Sequence, residues 1–202
     1  LRNYLEHHQE AMLNDIRSTI TFTVDIDSVL RVRGLRSGSA EVLIDANFAR
    51  EMEEERLRKR KTQYDLHLTG QPIIIPKRIV DEMQRRRGIT GPPLVSRQLI
   101  SYLRGKGKVE DIRPTPTQQD TIMTLWRTTS KGRSATERER DLFQNSCDLS
   151  LLCRALERGA LPTVILSNDN DIIGVVREWK KRPRAPGVSV FSLSKGTLTL
   201  AA

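Results

Sequence analysis

The chain has 202 residues, and 34 Lys and Arg outweigh 25 Asp and Glu for a formal charge of +9. That length allows one domain with a sizeable core plus an appendage, and the basic balance with acidic islands suits a polyanion binder that also holds a metal. Cys147 and Cys153 form no C-x-x-C pair and indicate neither a zinc site nor a disulfide framework, no apolar run reaches transmembrane length, and neither G-x-G-x-x-G nor G-x-x-x-x-G-K-[ST] occurs.

Residues 1–18 read as an amphipathic helix, with Leu1, Leu5, Met12 and Ile16 at helical spacing. A clean alternation follows: Ile20, Phe22, Val24 and Ile26 are apolar, with Thr21, Thr23, Asp25 and Asp27 between them. That is a half-buried strand, and Asp25 and Asp27 belong to its wet face before they belong to any metal. Leu30 and Val32 alternate with Arg31 and Arg33 as a second strand, and Gly34, Ser37, Gly38 and Ser39 mark a flexible link. A boundary falls near residue 40, which separates an N-terminal helix and strand extension (1–40) from the main domain (41–202).

Val42-Leu43-Ile44 is a short buried strand that ends at Asp45-Ala46-Asn47, and a charged helix runs from Phe48 to about Tyr64. Its basic run, including Arg58, Lys59, Arg60 and Lys61, reads either as a solvated helix end or as a phosphate-contacting arm. Ile73-Ile74-Ile75 is a third strand, and Pro76 suits the first helical position of a helix bearing Ile79, Val80, Asp81, Glu82 and Met83. Arg85-Arg86-Arg87 closes it. Leu94–Leu103 is helical, Val109–Ile112 a small strand, and Thr117–Arg127 a helix. The stretch 128–133, with Lys131, Gly132 and Arg133, reads as a mobile surface loop, and Ser134 with Glu137 as a capping box. A wide apolar helical face follows, with Asp148 inside it and Gly159 as its C-cap. Val164-Ile165-Leu166 stops abruptly at Ser167-Asn168-Asp169-Asn170-Asp171, a helix covers 172–181, and 188–191 is a last strand. Four short apolar strands alternating with helices predict a three-layer α/β/α fold around a mostly parallel sheet.

Four carboxylates stand out by position. Asp45 and Asp169 each end a buried strand, and parallel strands aim both tips at one sheet edge, where ligands bind in open α/β sheets. Glu82 lies on the helix after the third strand, and Asp148 sits among apolar neighbours. Ionised carboxylates converging there repel one another unless a divalent cation neutralises them, and oxygen donors suit Mg²⁺ or Mn²⁺. Each also has a plain alternative: Asp45, Asp148, Asp169 and Asp171 as helix caps, Glu82 as a surface residue.

From about residue 41 to 195 the chain resembles the PIN-domain nucleases of the flap-endonuclease-like superfamily. Val42-Leu43-Ile44-Asp45-Ala46-Asn47 is similar to the family's opening strand, and the segment from Ile75 to Met83 to its second motif, with Glu82 as the acid. Asp148-Leu149-Ser150-Leu151-Leu152 with Ala155 is similar to the third motif, and Leu166-Ser167-Asn168-Asp169-Asn170-Asp171 to the fourth. The resemblance implies a metal-dependent endoribonuclease acting on single-stranded RNA. Asp45, Glu82, Asp148 and Asp169 would hold Mg²⁺ or Mn²⁺, Asp171 would add a ligand or an outer contact, and Asn47 and Ser167 would orient carboxylates or water.

Arg58, Lys59, Arg60, Lys61, Arg85, Arg86, Lys131 and Arg133 would guide the phosphate backbone. Trp126, Trp179 and Tyr64 are the sparse candidates for base stacking, with core packing as their ordinary role. The additions to the compact family pattern (the N-terminal extension, the long charged helix and the region 104–140) would dock a protein partner, form a homo-oligomer or shape an RNA groove. The competing classes are a PIN-like module that binds RNA or protein without cutting and a DNA-directed structure-specific nuclease. No signal peptide is visible, so a reducing cytoplasm, away from the membrane, is the expected setting, and Leu1 in place of Met points to a longer parent.

Overall fold

The computed structural model describes residues 2–32, 34–35, 39–85, 93–183 and 185–202. Along the chain it forms α1 (Arg2–Ile20), β1 (Thr21–Asp25), α2 (Ile26–Val32), β2 (Glu41–Ile44), α3 (Ala46–Arg58), β3 (Gln63–His67), β4 (Ile73–Pro76), α4 (Lys77–Gln84) and α5 (Arg97–Lys106). It continues with β5 (Lys108–Glu110), α6 (Pro116–Thr128), α7 (Ser130–Ser134), α8 (Glu137–Gln144), α9 (Cys147–Arg158), β6 (Thr163–Leu166), α10 (Asn170–Lys180), β7 (Val188–Ser194) and β8 (Thr197–Leu200).

The main sheet has the order β5-β4-β2-β6-β7-β8, parallel throughout except for β8, which returns antiparallel to β7. Every residue of β2, β4 and β6 is buried, so helices cover both faces of the central strands. This is the α/β architecture with a mostly parallel sheet that the alternating strands and helices predict. From β2 the chain moves outward to β4 and β5, then crosses back to β6 on the other side of β2, so the β2–β6 boundary is where the winding reverses. Such a switch point opens a crevice at the carboxyl ends of the strands.

Several predicted elements differ in the structure. The strand over 20–26 is present as β1, but 30–32 is helical rather than a second strand. The Asp25 carboxylate accepts the Ser28 N–H at 3.0 Å, which turns the chain into α2. Ile26 and Leu30, four apart, are then buried on one helical face. The charged helix ends at Arg58 and not near Tyr64: Arg60 takes a left-handed φ of 54°, and the chain re-emerges as β3. β3 pairs in parallel with β1 as a separate two-stranded sheet, in register from Thr21↔Gln63 to Asp25↔His67. Phe22 and Val24 of β1, with Tyr64 and Leu66 of β3, join the common core.

Pro76 closes β4 and immediately precedes α4, one position earlier than its expected place. The stretch expected to be a mobile loop contains α7, capped by Thr129, whose Oγ1 accepts the Gly132 N–H at 3.1 Å. The capping box before α8 is Thr136 with Glu139, not Ser134 with Glu137. At the C-terminal end, Lys195 and Gly196, both at positive φ, form a two-residue turn that folds β8 back onto β7.

Candidate metal centre

β2 and β6 run side by side with Ile44 opposite Leu166, so the next residues, Asp45 and Ser167, emerge together at the carboxyl edge. Backbone bonds hold both: the Asp45 N–H donates to Leu166 O at 3.0 Å, and the Ser167 N–H donates to Phe191 O at 2.9 Å. Asp45 and Ser167 are fully buried. Ser167 Oγ donates to Asp45 Oδ2 at 2.7 Å and accepts the Asp169 N–H at 2.9 Å. Asp45 precedes α3 at the N-cap position but makes no side-chain capping bond, so its carboxylate faces elsewhere. Its other oxygen, Oδ1, is buried with no hydrogen-bond partner.

Asp169 does cap a helix. Its Oδ1 accepts the Asp171 N–H at 2.7 Å, while Oδ2 accepts from Asn47 Nδ2 at 3.1 Å. Asn47 thus ties the strand end of β2 to that of β6, and Asn168 ties β6 to β7 through both the N–H and the carbonyl of Leu193. Asp148 is not a cap. Ser146 fills that role for α9, its Oγ accepting the Leu149 N–H at 3.3 Å, which leaves the Asp148 carboxylate unspent in the first turn. Glu82, on α4, lies against the Cys147 thiol, whose Sγ also bonds Arg78 O at 3.3 Å.

The charges of these acids reach one another. Burial pushes the Asp45 carboxyl well above the usual carboxylate range; the Ser167 hydrogen bond opposes the shift, and the charges of Asp169 and Glu82 add to it. Asp148 keeps some solvent access, yet surrounding protein raises its pKa further, helped by Asp45, Asp169, Glu82 and Asp171. Burial likewise raises the Cys147 thiol to about 12, with Glu82 and Asp148 contributing, so this cysteine stays a neutral thiol.

Asp171 differs from the other acids. Its Oδ1 accepts Trp126 Nε1–H at 3.2 Å, and its Oδ2 takes the Lys131 ammonium at 2.6 Å. The Trp126 indole is fully buried and, like Tyr64 and Trp179, packs in the core rather than offering an open stacking face. The position of Lys131 is built rather than incidental. α7 sits so close to the end of α6 that a Cβ on Gly132 would fall 1.9 Å from Trp126 O.

The remaining basic candidates divide. Arg133 is exposed beside Lys131, and the charge of Arg85 reaches Cys147 at the site. In the run 58–61, Lys59 and Lys61 are tied to the N-terminal elements, while Arg58 is held within α3. Arg58 pairs with Glu55, Lys59 lies 5.2 Å from the Phe22 ring centroid, and Lys61 Nζ caps α1 through Ser18 O and Thr19 O, both at 2.7 Å. Arg86 lies outside the described residues.

The donor set is one of hard carboxylate oxygens, which fits Mg²⁺ or Mn²⁺. The orphaned Asp45 Oδ1 fits too, because a buried anionic oxygen without a donor is costly unless a cation meets it. Among the described residues, no three His, Cys, Asp or Glu side chains stand close enough together to hold a metal ion as they are placed. Sequence patterns do not reveal Cys147 beside Glu82, nor the Trp126 and Lys131 contacts to Asp171. Trp126 and Lys131 lie 45 and 40 residues from Asp171 in sequence, and no local pattern signals such contacts.

No family model matches the chain, and no curated protein matches it. Among solved structures it is similar to the PIN domain endonuclease Utp24, at 12% identity and a TM-score of 0.37, over 81% of this chain and 92% of that one. No helix among the described residues is long and apolar enough to cross a membrane.

Proposed function

We propose that this protein is a PIN-like nuclease that hydrolyses phosphodiester bonds of single-stranded RNA, with Mg²⁺ or Mn²⁺ held by Asp45, Glu82, Asp148 and Asp169. One observation carries the reading. At the switch point of a parallel sheet, a buried Asp45 oxygen without a partner sits near other acids, whose charges help burial to raise the pKa of Asp45 and of Asp148. A structural cluster would satisfy that oxygen with a donor. A site for a divalent cation leaves it open.

When bound, the metal lowers the pKa of an attacking water and offsets charge on the phosphoryl group. The chain's own residues do the positioning. Ser167 fixes which Asp45 oxygen is turned inward, because its hydroxyl proton is committed to Oδ2. Asn47 holds Asp169 by donating to Oδ2. Asp171, with both oxygens engaged by Trp126 and Lys131, acts as an outer support. Lys131 and Arg133 supply positive charge beside the acids for the phosphate backbone.

The test is cleavage of labelled single-stranded RNA and DNA in Mn²⁺, Mg²⁺ or EDTA, with Asp148→Asn beside the wild type. RNA cutting that needs metal and Asp148 is the expected result. Full activity in EDTA or in the variant removes the reading. Salt-sensitive RNA binding without any cutting replaces it with a binding module, and faster cutting of DNA redirects the substrate.

A further inference from the structure

Beside the acids lies a cavity of about 360 Å³, within the ~300–1,000 Å³ common for small-ligand sites. Its floor includes Asp148 and Asp171, so it opens directly onto the candidate metal centre. Its walls are Lys131 of α7 and Glu139, Leu142 and Phe143 of α8. Phe143 is locked in place, stacked on Trp126 with ring centroids 4.6 Å apart and planes 8° from parallel. Leu142 is 64% exposed although its neighbour Phe143 is buried. A single exposed leucine is ordinary. This one lines a cavity that also takes in Asp148, one of the acids proposed to hold the metal, with the Lys131 ammonium alongside.

We propose that this cavity holds the base of the nucleotide adjoining the scissile phosphate, and that Glu139 favours bases bearing an exocyclic amine (adenine, cytosine, guanine) over uracil. The inference rests on the nuclease reading for the placement of the phosphate. A base has flat apolar faces and a polar edge, and the cavity offers the complement of each. Leu142 and the edge of Phe143 meet the face. The Glu139 carboxylate accepts hydrogen bonds and cannot donate one, so it pairs with an exocyclic amine, whereas uracil offers it only the N3–H, flanked by two carbonyls that repel it. Lys131 stands between base and phosphate, near enough to Glu139 that each charge acts on the other's pKa. Glu139 is itself held: its Oε2 accepts the Thr136 N–H at 2.7 Å in the capping box of α8, which fixes the carboxylate at the wall.

Two measurements test this together. Binding of fluorescein-labelled oligoadenylate, oligocytidylate and oligouridylate is followed by anisotropy in EDTA, for the wild type, Glu139→Gln and Leu142→Ser. Cut positions in a mixed-sequence RNA are mapped for the same three proteins in Mn²⁺. The glutamine variant keeps the capping box, because Gln serves that position as well as Glu. The serine variant alters only an exposed side chain. The wild type is expected to bind the amine-bearing oligonucleotides about tenfold tighter than oligouridylate, the scale of one net hydrogen bond. Glu139→Gln is expected to bring that ratio towards one, since Gln donates as well as accepts, and Leu142→Ser to weaken all three oligonucleotides several-fold. Equal affinities and an unchanged cut profile in both variants, or no binding of any oligonucleotide, overturn the base site. The expected binding differences without cleavage in any metal support the base site and remove the hydrolytic reading instead.

Discussion

Ser167 Oγ donates to Asp45 Oδ2 and accepts from the backbone N–H of Asp169, so one hydroxyl locks two acids from adjacent strand ends in a fixed relation. The proton cannot be given to Asp169, whose N–H is itself a donor. It must go to Asp45, and that leaves Asp45 Oδ1 as the oxygen without a partner, the one that would meet the proposed cation. Ser167→Ala removes both bonds inside a fully buried position. The expected cost is about 1–3 kcal/mol in urea unfolding with EDTA present. Metal-dependent cleavage is expected to fall 10–100-fold, the usual scale for a group that orients a metal ligand. Wild-type cleavage with only the stability loss would separate Ser167 from the chemistry.

Gly132 is required by close approach, not by an unusual φ. A Cβ there would meet Trp126 O at 1.9 Å and Arg127 Cα at 2.6 Å, and neither backbone atom can move aside as a side-chain tip can. Gly132→Ala is therefore expected to push α7 off the end of α6. The stability loss is expected to be about 1–3 kcal/mol, the range for overpacking. The Lys131–Asp171 pair should go with it. Lys131→Met keeps α7 in place and serves as the comparison: it should leave the unfolding midpoint nearly unchanged, because Lys131 is 56% exposed. Equal stability of Gly132→Ala and wild type would show that α7 is free to shift.

The central strands and the acids at their tips were legible because their signals are local. Val42–Ile44 and Val164–Leu166 are unbroken apolar runs that stop at polar residues, as strands buried on both faces do. The edges were legible only in part: the small strand expected at 109–112 and the alternation over 20–26 are present as β5 and β1, whereas β3 and β8 left no signal. β3 carries only Tyr64 and Leu66 as inward apolar residues among charged ones, and it is a strand because β1, 42 residues earlier, pairs with it. Asp25 ends β1 by accepting both the N–H and the hydroxyl of Ser28, and the alternation of Leu30 and Val32 with arginines carries no trace of that. α7 reads as a loop because Gly132 is a poor helix former and Ser130 a middling one; packing of Gly132 on α6 overrides the propensity. The Lys131–Asp171 and Trp126–Asp171 contacts belong to the same class of tertiary fact.

At the opposite, amino edge of the sheet, Glu41 is buried and receives Arg154 on both oxygens, at 2.8 and 2.9 Å, with Arg158 3.9 Å away. Arg154 also reaches Glu110 and Glu157, so one guanidinium joins β2, β5 and α9. Its pKa is raised by the Glu41 hydrogen bonds above all, and it stays charged throughout. Arg154→Ala leaves Glu41 buried at β2's start without its main counter-charge, at an expected cost of about 3 kcal/mol in urea unfolding. The site lies at the other end of β2, so cleavage per folded molecule should not change. A loss of activity at full folding would show that the two sheet edges are coupled.

Asp148 gives the pH dependence of stability a definite sign. Its pKa is raised to about 9 from the ordinary value near 4, by burial first and then by Asp45, Asp169, Glu82 and Asp171. Between those two pH values the folded protein holds a proton that the unfolded chain has released. Stability from this group is therefore fully present below about pH 4 and is lost as pH rises through about 9; Asp45, raised to about 7, adds the same trend over the lower part of that window. Metal-free wild type should lose stability from pH 5 to pH 8. Asp148→Asn cannot ionise, so its profile should be flatter, and at pH 8 in EDTA it should exceed the wild type by on the order of 1–3 kcal/mol. Mn²⁺ should reverse the ranking, because the wild type gains a bound cation that the variant holds poorly. Urea midpoints at pH 5 and pH 8, with EDTA and with Mn²⁺, measure all four corners. Parallel profiles for the two proteins would mean that Asp148 is not part of a repelling acidic group, and the metal centre would lose its strongest member.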